Sequence, residues 1–167
     1  RLVLVGDVDQ LPSVGAGNVL FDLIASNALP VVRLEQVFRQ GRRSGIAMNA
    51  QRINRGEYPE YNETDFFFIE RKDPVRARET IVELVTARMP KKFGFDPVRD
   101  IQVLAPMHRG EAGVARLNDV LRETLNPGGR AVPRTTFRLG DKVMQTRNNY
   151  ELDAANGDMG IITKVEE

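Results

Sequence analysis

The chain has 167 residues, 41% of them hydrophobic and 28% charged, a composition that suits one or two small folded domains and excludes a disordered tail. Its net charge of +1 does not by itself indicate a partner. With no cysteine and a single histidine, disulfides, thiolate metal sites and multi-histidine zinc sites are excluded, which fits the cytoplasm. Since no signal peptide and no apolar run long enough to span a bilayer is recognised, we expect no membrane attachment.

The first apolar run, residues 2–5, is typical of a parallel strand buried on both faces. Asp7 and Gln10 follow it. Because ligands of open α/β sheets lie beyond the carboxyl ends of the strands, these two residues stand where a phosphate or a metal ion would bind. Asn18 is predicted to cap a helix that runs to about Asn27. The predicted inner face of this helix has apolar residues at helical spacing: Val19, Leu20, Leu23 and Ile24.

After Pro30, residues 31–34 are predicted to form a short strand, and an Arg- and Gly-rich turn follows. Ser44 is predicted to cap the next helix, and Gly56 is a natural end for it. Its predicted buried face consists of three apolar residues: Ile46, Ala50 and Ile53. The phenylalanine-rich residues 66–69 are interpreted as a core strand and not as a base-stacking surface.

Asp73-Pro74 is a strong helix start, and the helix is predicted to run to about Met89, before a connection over residues 90–97. Its predicted inner residues are Ile81, Leu84 and Val85. Another buried strand is predicted over residues 101–104. The helix after it has an apolar face made of Val114, Leu117, Leu121 and Leu125. Alternating strands and helices predict an α/β fold with a parallel, three-layer sheet.

The pattern changes beyond residues 126–129, where no helical period recurs. Strands are predicted over residues 142–147 and 160–165, joined through the turn pair Asn156-Gly157. Basic residues are spaced along this segment with only Asp141 to oppose them: Arg130, Arg134, Arg138, Lys142 and Arg147. Such a stripe can follow a phosphate backbone, but a solvated face is at least as common.

Four segments resemble blocks of one family. GDVDQLPSVGAG and LEQVFRQ, at residues 6–17 and 34–40, resemble motif III and the arginine motif of the RecD-like superfamily 1 DNA helicases, which include the exodeoxyribonuclease V alpha subunit and the RecD-TraA proteins. VLAPMHRGEAGVARLN and GDKVMQTRNNYELDAANGDMGII resemble two later blocks, in the same order. Four ordered blocks are far more specific than any one of them. The resemblance is weakest over residues 58–99.

The resemblance implies RecA-like motor domains of the P-loop NTPase type. Residues 1–29 would end the first motor domain, residues 30–132 would form part of the second, and residues 133–167 would begin an inserted SH3-like β-barrel. The family's phosphate loop and paired acids for Mg²⁺ do not occur in the sequence. We therefore expect an internal part of a longer helicase, with no ATPase activity of its own.

For the parent protein the resemblance implies an ATP-dependent helicase that moves 5′ to 3′ along single-stranded DNA and serves recombination and repair. It would use ATP and Mg²⁺, neither of which this part would bind tightly. It would act alone, within a relaxase fusion or with other nuclease and helicase subunits. The exposed edge of residues 2–5 also predicts pairing with a non-native edge or with a second copy of the chain.

Two residues are predicted to act on the nucleotide in this family. Gln10 would sense the terminal phosphate, and Arg39 would complete the site from the second motor domain, as an arginine finger does. Alternatively, Gln10 satisfies loop backbone groups and Arg39 pairs with an acid. Asp7 would either touch the metal shell through water or hold its own loop by accepting backbone hydrogens.

Two blocks are predicted to bind DNA. Residues 106–109 would lie against the strand, with backbone and stacking contacts that carry little sequence information. The candidates are Pro106, Met107, His108, Arg109, Asn118, Arg147 and Asn148. For Asn118, local bonding on the helix surface is as good an interpretation. Tyr150 is interpreted as an ordinary buried tyrosine.

Two other function classes fit the sequence less well. A non-catalytic module that binds single-stranded nucleic acid would show salt-dependent affinity indifferent to nucleotide. A Rossmann-like enzyme is disfavoured because no G-x-G-x-x-G follows any predicted strand.

Overall fold

The computed structural model describes residues 2–10, 15–34, 44–62 and 64–165. The chain divides into two compact units, Arg1–Ile69 and Glu70–Glu167. The described elements, in chain order, are helices α1 (Val19–Ala25), α2 (Gly45–Asn54), α3 (Pro74–Glu83), α4 (Met89–Phe93) and α5 (Val114–Leu125), and strands β1 (Lys142–Met144) and β2 (Met159–Ile161). Within the described ranges, no helix is long and apolar enough to cross a membrane.

Helix α2 is anchored to the chain that follows it through a polar residue. Asn49 is only 2% exposed. Its Nδ2 donates to the carbonyl of Glu60 at 2.6 Å, and its Oδ1 accepts from the Glu60 amide at 2.7 Å. The predicted buried face is wrong, since Ile46 and Ile53 are 42% and 55% exposed. The chain after the helix packs on the Asn49 side because the side-chain amide satisfies both backbone groups there.

The start of α2 is held by a carboxylate twenty residues further along the chain. Ser44 occupies the predicted cap position, but its hydroxyl donates to Asp65 Oδ2 at 2.7 Å, while the Gly45 amide donates to Asp65 Oδ1 at 3.2 Å. Asn62 Nδ2 donates to the same carboxylate. The side-chain bond from Asn62, and then that from Ser44, lower the pKa of Asp65 below its usual value of 3.8.

Helix α3 begins as the sequence predicts, with Asp73 accepting from the Arg76 amide at 2.8 Å and Pro74 in the first turn. The predicted end near Met89 is confirmed only in part. A π-helical turn, Leu84–Arg88, follows α3, and α4 continues to Phe93. Pro90 lacks an N–H and its ring would collide with a carbonyl four residues earlier, so the wider turn accommodates it.

The second unit has a small apolar core. Val85, Ile101 and Leu117 are its buried hydrophobic residues among those described. Leu117 is 2% exposed, and the remaining predicted inner residues of α5 are half-buried, namely Val114, Leu121 and Leu125. The predicted inner face of α5 is therefore confirmed.

The predicted parallel sheet is not seen among the described residues. The sheet there is an antiparallel pair, β1 and β2, with Lys142 opposite Ile161 and Met144 opposite Met159. The apolar segments 2–5, 31–34, 66–69 and 101–104 have no assigned strand. Val5 and Leu34 are 92% and 95% exposed. A parallel strand needs a hydrogen-bonded neighbour strand and cover on both faces; no described strand pairs with these segments, although Ile101 itself is buried.

The exposure of these segments corrects two further expectations. Residues 2–5 do not pair with another edge within the described part of the chain, and their side chains are exposed, which counts against a non-native pairing inside one molecule. Residues 66–69 are not core, since Phe67 and Phe68 are 46% and 59% exposed. Phe68 stacks on Tyr61 with ring centroids 5.2 Å apart.

The link between β1 and β2 is longer than a two-residue turn at Asn156-Gly157. The amide of Gln145 donates to the Asp158 carbonyl, and an inner bridge pairs Asn149 with Ala154, so the tip of the hairpin lies over residues 149–154. Gly157 has φ +96, whereas Asn156 has no positive φ, so the pair does not form the predicted turn type.

Residues 133–165, which contain β1 and β2 and are hereafter called the small β module, are joined to α5 by a buried carboxylate. Asp141 is 7% exposed and accepts from Asn126 Nδ2 at 2.7 Å and from the Arg138 amide at 2.8 Å. Asn126 stands at the end of α5 and also donates to the Leu139 carbonyl. Lys142 Nζ donates to the Ile101 carbonyl at 3.0 Å. These bonds connect the module with α5 and with the segment after residue 100.

Candidate nucleic-acid interface

The Asp7 loop is held together by its own side chains. Asp7 Oδ1 accepts from the Asp9 amide at 3.0 Å, and Oδ2 accepts from Gln10 Nε2 at 2.9 Å. This geometry agrees with the second interpretation of Asp7, in which the carboxylate organises its loop. Gln10 is exposed, and its carbonyl oxygen is not used by the described residues.

An open cavity of about 390 Å³ lies beside this loop within the first unit. Its lining combines the loop with one face of α1: Leu4, Val5, Gly6, Asp7, Val8, Gln10, Asn18, Val19, Leu20 and Leu23. A Cβ at Gly6 would come within 2.5 Å of Leu20 Cδ2, so the loop approaches the helix closely here and a larger residue would displace the leucine side chain.

The predicted arginine finger, Arg39, lies outside the described residues, as do Arg42 and Arg43. Its meeting with Gln10 on one nucleotide therefore stays a prediction. The described residues also contain no group of three or more histidine or acidic side chains that could hold a metal ion.

Residues 106–113 form a turn, hereafter the strand turn, whose backbone is tied to the first turn of α5. The carbonyls of Met107 and His108 accept from the amides of Val114 and Ala115 at 3.0 and 3.1 Å. Gly113 is buried, and a Cβ there would overlap the Arg109 carbonyl group. The amides at the start of a helix lack intrahelical acceptors, and here the strand turn supplies two.

The side chains of the strand turn face solvent. Met107 is 65% exposed, and Pro106, His108 and Arg109 are also exposed. Within the described ranges, neither His108 nor Arg109 has a side-chain hydrogen bond or ion pair. The backbone of the turn is thus hydrogen-bonded to α5, while the side chains of Arg109, His108 and Met107 remain available. A cation, an imidazole and an apolar side chain together suit contact with phosphate and bases.

The strand turn is also attached to α3. Glu111 forms an ion pair with Arg78, whose side chain is 15% exposed against 51% for the carboxylate side chain. Because Arg78 belongs to α3, this pair connects two segments more than thirty positions apart in the chain. Nothing in the sequence pattern joins these two residues, and only their spatial proximity identifies them.

Asn118 lies on α5, one position after the buried Leu117, and is exposed. No described residue hydrogen bonds to its side chain, in contrast to the local helix-surface bonding that the sequence left open. Its side-chain amide is therefore available to an external partner.

The hairpin tip differs from expectation at one residue. Tyr150 is 88% exposed and not buried, and its hydroxyl accepts from Asn148 Nδ2 at 3.3 Å. Asn148 Oδ1 accepts from the Asn156 amide at 2.8 Å, so Asn148 braces the hairpin. Arg147 is exposed and has no side-chain partner in the described part of the chain. The exposed ring of Tyr150 is a candidate base-stacking site that the polar run around it could have indicated.

The basic stripe divides into anchored and available residues. Arg138 pairs with Glu123 at 2.5 Å, and Lys142 is bonded to the Ile101 carbonyl. Arg130, Arg134 and Arg147 are exposed. Two of the five cations, Arg138 and Lys142, are thus bonded within the protein. The other three remain exposed, as either a phosphate-binding stripe or a solvated face would require.

Comparisons with known proteins match both halves of the chain. Residues 1–79 match the family model described as an AAA domain, and residues 117–167 match that of the ATP-dependent RecD-like DNA helicase SH3 domain. The two models follow each other in the order expected from the sequence blocks.

Individual relatives match nearly the whole chain. The ATP-dependent RecD2 DNA helicase of Deinococcus radiodurans is 35% identical over 168 residues, which are 99% of this chain and 22% of the relative. The RecBCD enzyme subunit RecD of Mycobacterium tuberculosis is 32% identical over 178 residues, covering 97% of this chain and 31% of the relative. That of Mycolicibacterium smegmatis is 28% identical over 181 residues, with the same coverage. The chain thus spans between about a fifth and a third of the length of these relatives. Two family models in order, together with these alignments, show that the chain belongs to the RecD-like DNA helicases.

Proposed function

We propose that the chain supplies the strand-binding surface and part of the nucleotide site of an ATP-dependent DNA helicase that moves 5′ to 3′ along a single strand. The observation that carries the strand-binding part is the strand turn, in which the backbone is bonded to α5 while Met107, His108 and Arg109 face solvent. A preformed turn loses little conformational entropy on binding, which favours affinity.

Arg109 holds a phosphate, and His108 stacks on a base or bonds to phosphate. Asn118 and Arg147 add backbone contacts, and Tyr150 offers a second stacking surface. None of these contacts reads base edges in a groove, which suits a motor that passes over any sequence.

We propose the same domain limits that the resemblance implied. Residues 1–29 end the first RecA-like motor domain, residues 30–132 belong to the second, and residues 133–167 begin the SH3-like barrel. In the full protein, Gln10 and Arg39 contact the terminal phosphate of ATP from opposite motor domains. The AAA and SH3 matches support the overall order.

The full protein works in the cytoplasm in DNA recombination and repair, and its partners are single-stranded DNA and, as the RecBCD name of two relatives suggests, other nuclease or helicase subunits. Native mass spectrometry of the full-length protein purified from its own cells tests whether it associates with other subunits. A monomer alone would exclude a stable subunit complex.

The strand-binding proposal is tested by titrating a fluorescent oligothymidylate with the protein at several salt concentrations. Arg109→Ala should weaken binding and reduce the slope of log K against log salt by about 0.7, the value for one phosphate contact on a single strand. Arg99→Ala, a change at an exposed arginine outside the strand turn, is the matched control. Equal affinity and slope for wild type and Arg109→Ala would reject the proposal.

The nucleotide role is tested separately in the full-length helicase. Arg39→Ala should reduce DNA-stimulated ATP hydrolysis by about 10³-fold or more, as loss of an arginine finger does elsewhere. Arg39→Lys keeps the charge but not the two-pronged geometry and should recover little. The 167-residue chain alone should hydrolyse no ATP above background, and turnover by it would contradict the proposal.

A non-catalytic module that binds single-stranded nucleic acid is the second candidate. The bond from Gln10 to Asp7 favours it, because the Gln10 amide nitrogen is already engaged within its own loop. In that case the DNA affinity of the full-length protein would be the same with and without an ATP analogue. A shift in affinity on adding the analogue favours the motor.

A further inference from the structure

The ion pair between Arg78 and Glu111 is placed where it can control the strand turn. Arg78 lies on α3 and is largely covered, whereas Glu111 sits inside the strand turn and is half-exposed. Among the described residues, the hydrogen bonds that the backbone of the turn makes outside itself lead to α5. The Arg78–Glu111 pair adds an attachment to a second helix, α3.

We propose that Arg78 and Glu111 are positioning residues for strand binding. They hold the strand turn against α3, so that the Arg109 and His108 side chains start from a defined place. This inference rests on the proposed strand-binding function. It adds two residues that were not candidates from the sequence: Glu111, which lies inside the third block, and Arg78, which lies in the segment where the family resemblance is weakest.

A purely electrostatic role and a positioning role of Glu111 predict opposite changes in DNA affinity for Glu111→Gln. Removing a negative charge from a DNA-binding surface strengthens binding to a polyanion if charge alone matters. If Glu111 holds the turn through Arg78, the same substitution weakens binding, because the turn then loses its attachment to α3. The direction of the change therefore separates the two explanations.

The experiment measures oligothymidylate affinity and salt slope for the full-length protein carrying Glu111→Gln. We expect about 1.5-fold to fivefold weaker binding, the range for losing a partly exposed ion pair. The salt slope should stay unchanged, because neither Arg78 nor Glu111 contacts phosphate. Glu83→Gln, a change at an exposed acid on α3, removes the same charge and should not weaken binding.

Two additional measurements protect the test from a general folding defect. The charge swap Arg78→Glu with Glu111→Arg should recover affinity lost in either single variant. Hydrogen exchange at the Val114 and Ala115 amides, which bond to the strand turn, should accelerate in Glu111→Gln while exchange elsewhere in α5 is unchanged.

Failure of the positioning role can be told apart from failure of the proposed strand-binding function. If Arg109→Ala weakens binding but Glu111→Gln strengthens it or leaves it unchanged, the turn binds DNA and the positioning role is wrong. If Arg109→Ala has no effect, strand binding by this turn is wrong. A swap that recovers nothing while single variants remain folded also overturns the positioning role.

Discussion

Asn49→Ala is expected to lower the free energy of unfolding by an amount that can be worked out from the structure. The side chain is 2% exposed and makes two short bonds to the backbone of Glu60, at 2.6 and 2.7 Å. Truncation leaves a backbone N–H and a C=O without these partners, at about 1–3 kcal/mol each when water cannot reach them. Glu60 is itself exposed, so water reaches part of this site and the lower end applies.

The expected loss is therefore about 2–3 kcal/mol of unfolding free energy. Alanine is a better helix former than asparagine by up to about 0.7 kcal/mol, which reduces the net loss to about 1.5–2.5 kcal/mol. Asn54→Ala, at the exposed end of the same helix, carries the propensity gain without the bonds and serves as the control.

Urea unfolding measures the free-energy change, and hydrogen exchange at the Glu60 amide measures the local effect. We expect exchange at Glu60 to accelerate in Asn49→Ala and to stay unchanged in Asn54→Ala. A difference between the two variants below about 0.5 kcal/mol, with unchanged exchange, would show that the Asn49 bonds do not hold the segment after α2.

Three further predictions concern single side chains. The folded-state pKa of Asp65 is lowered, so its stabilising effect is complete above its unfolded value near 3.8 and is lost as pH falls below that value; urea unfolding at several pH values should show this loss in wild type and a flatter profile in Asp65→Asn. Asn126→Ala removes a charge-assisted bond to the buried Asp141 and should cost about 2–3 kcal/mol by the same assay, with an unchanged midpoint contradicting the expectation. Pro90→Ala restores a backbone donor after the π-helical turn and should raise the melting temperature seen by circular dichroism, and a lowered one would contradict this account of the turn.

Local sequence signals predicted several helix limits because their physics acts over a few residues. Asp73 caps α3 through an amide three positions away, and the spacing of apolar residues in α5 identified Leu117 as its buried face. The blocks around Gln10 and Arg109 were sufficient to indicate the family, which the comparisons then showed.

The same signals failed where burial depends on a distant segment. In α2 the apolar spacing predicted Ile46 and Ile53 inside, but Asn49 is buried because the Glu60 backbone offers a matching donor and acceptor. Apolar runs such as residues 2–5 indicated strands, yet a strand exists only with a hydrogen-bonded neighbour, and composition cannot supply one.

By itself, the sequence determined the Asp73 cap of α3, the buried face of α5 and the family, since these depend on short-range bonding and on ordered motifs; the predicted caps Asn18 and Ser44 make no side-chain cap bond to their own helices. Only the tertiary structure decided that Asp65 closes the start of α2, that Asp141 joins α5 to the β module, and that Arg78 meets Glu111 beside the strand turn. The physical reason is that each of these contacts joins groups 15 to 33 positions apart, whose approach depends on how the intervening chain packs.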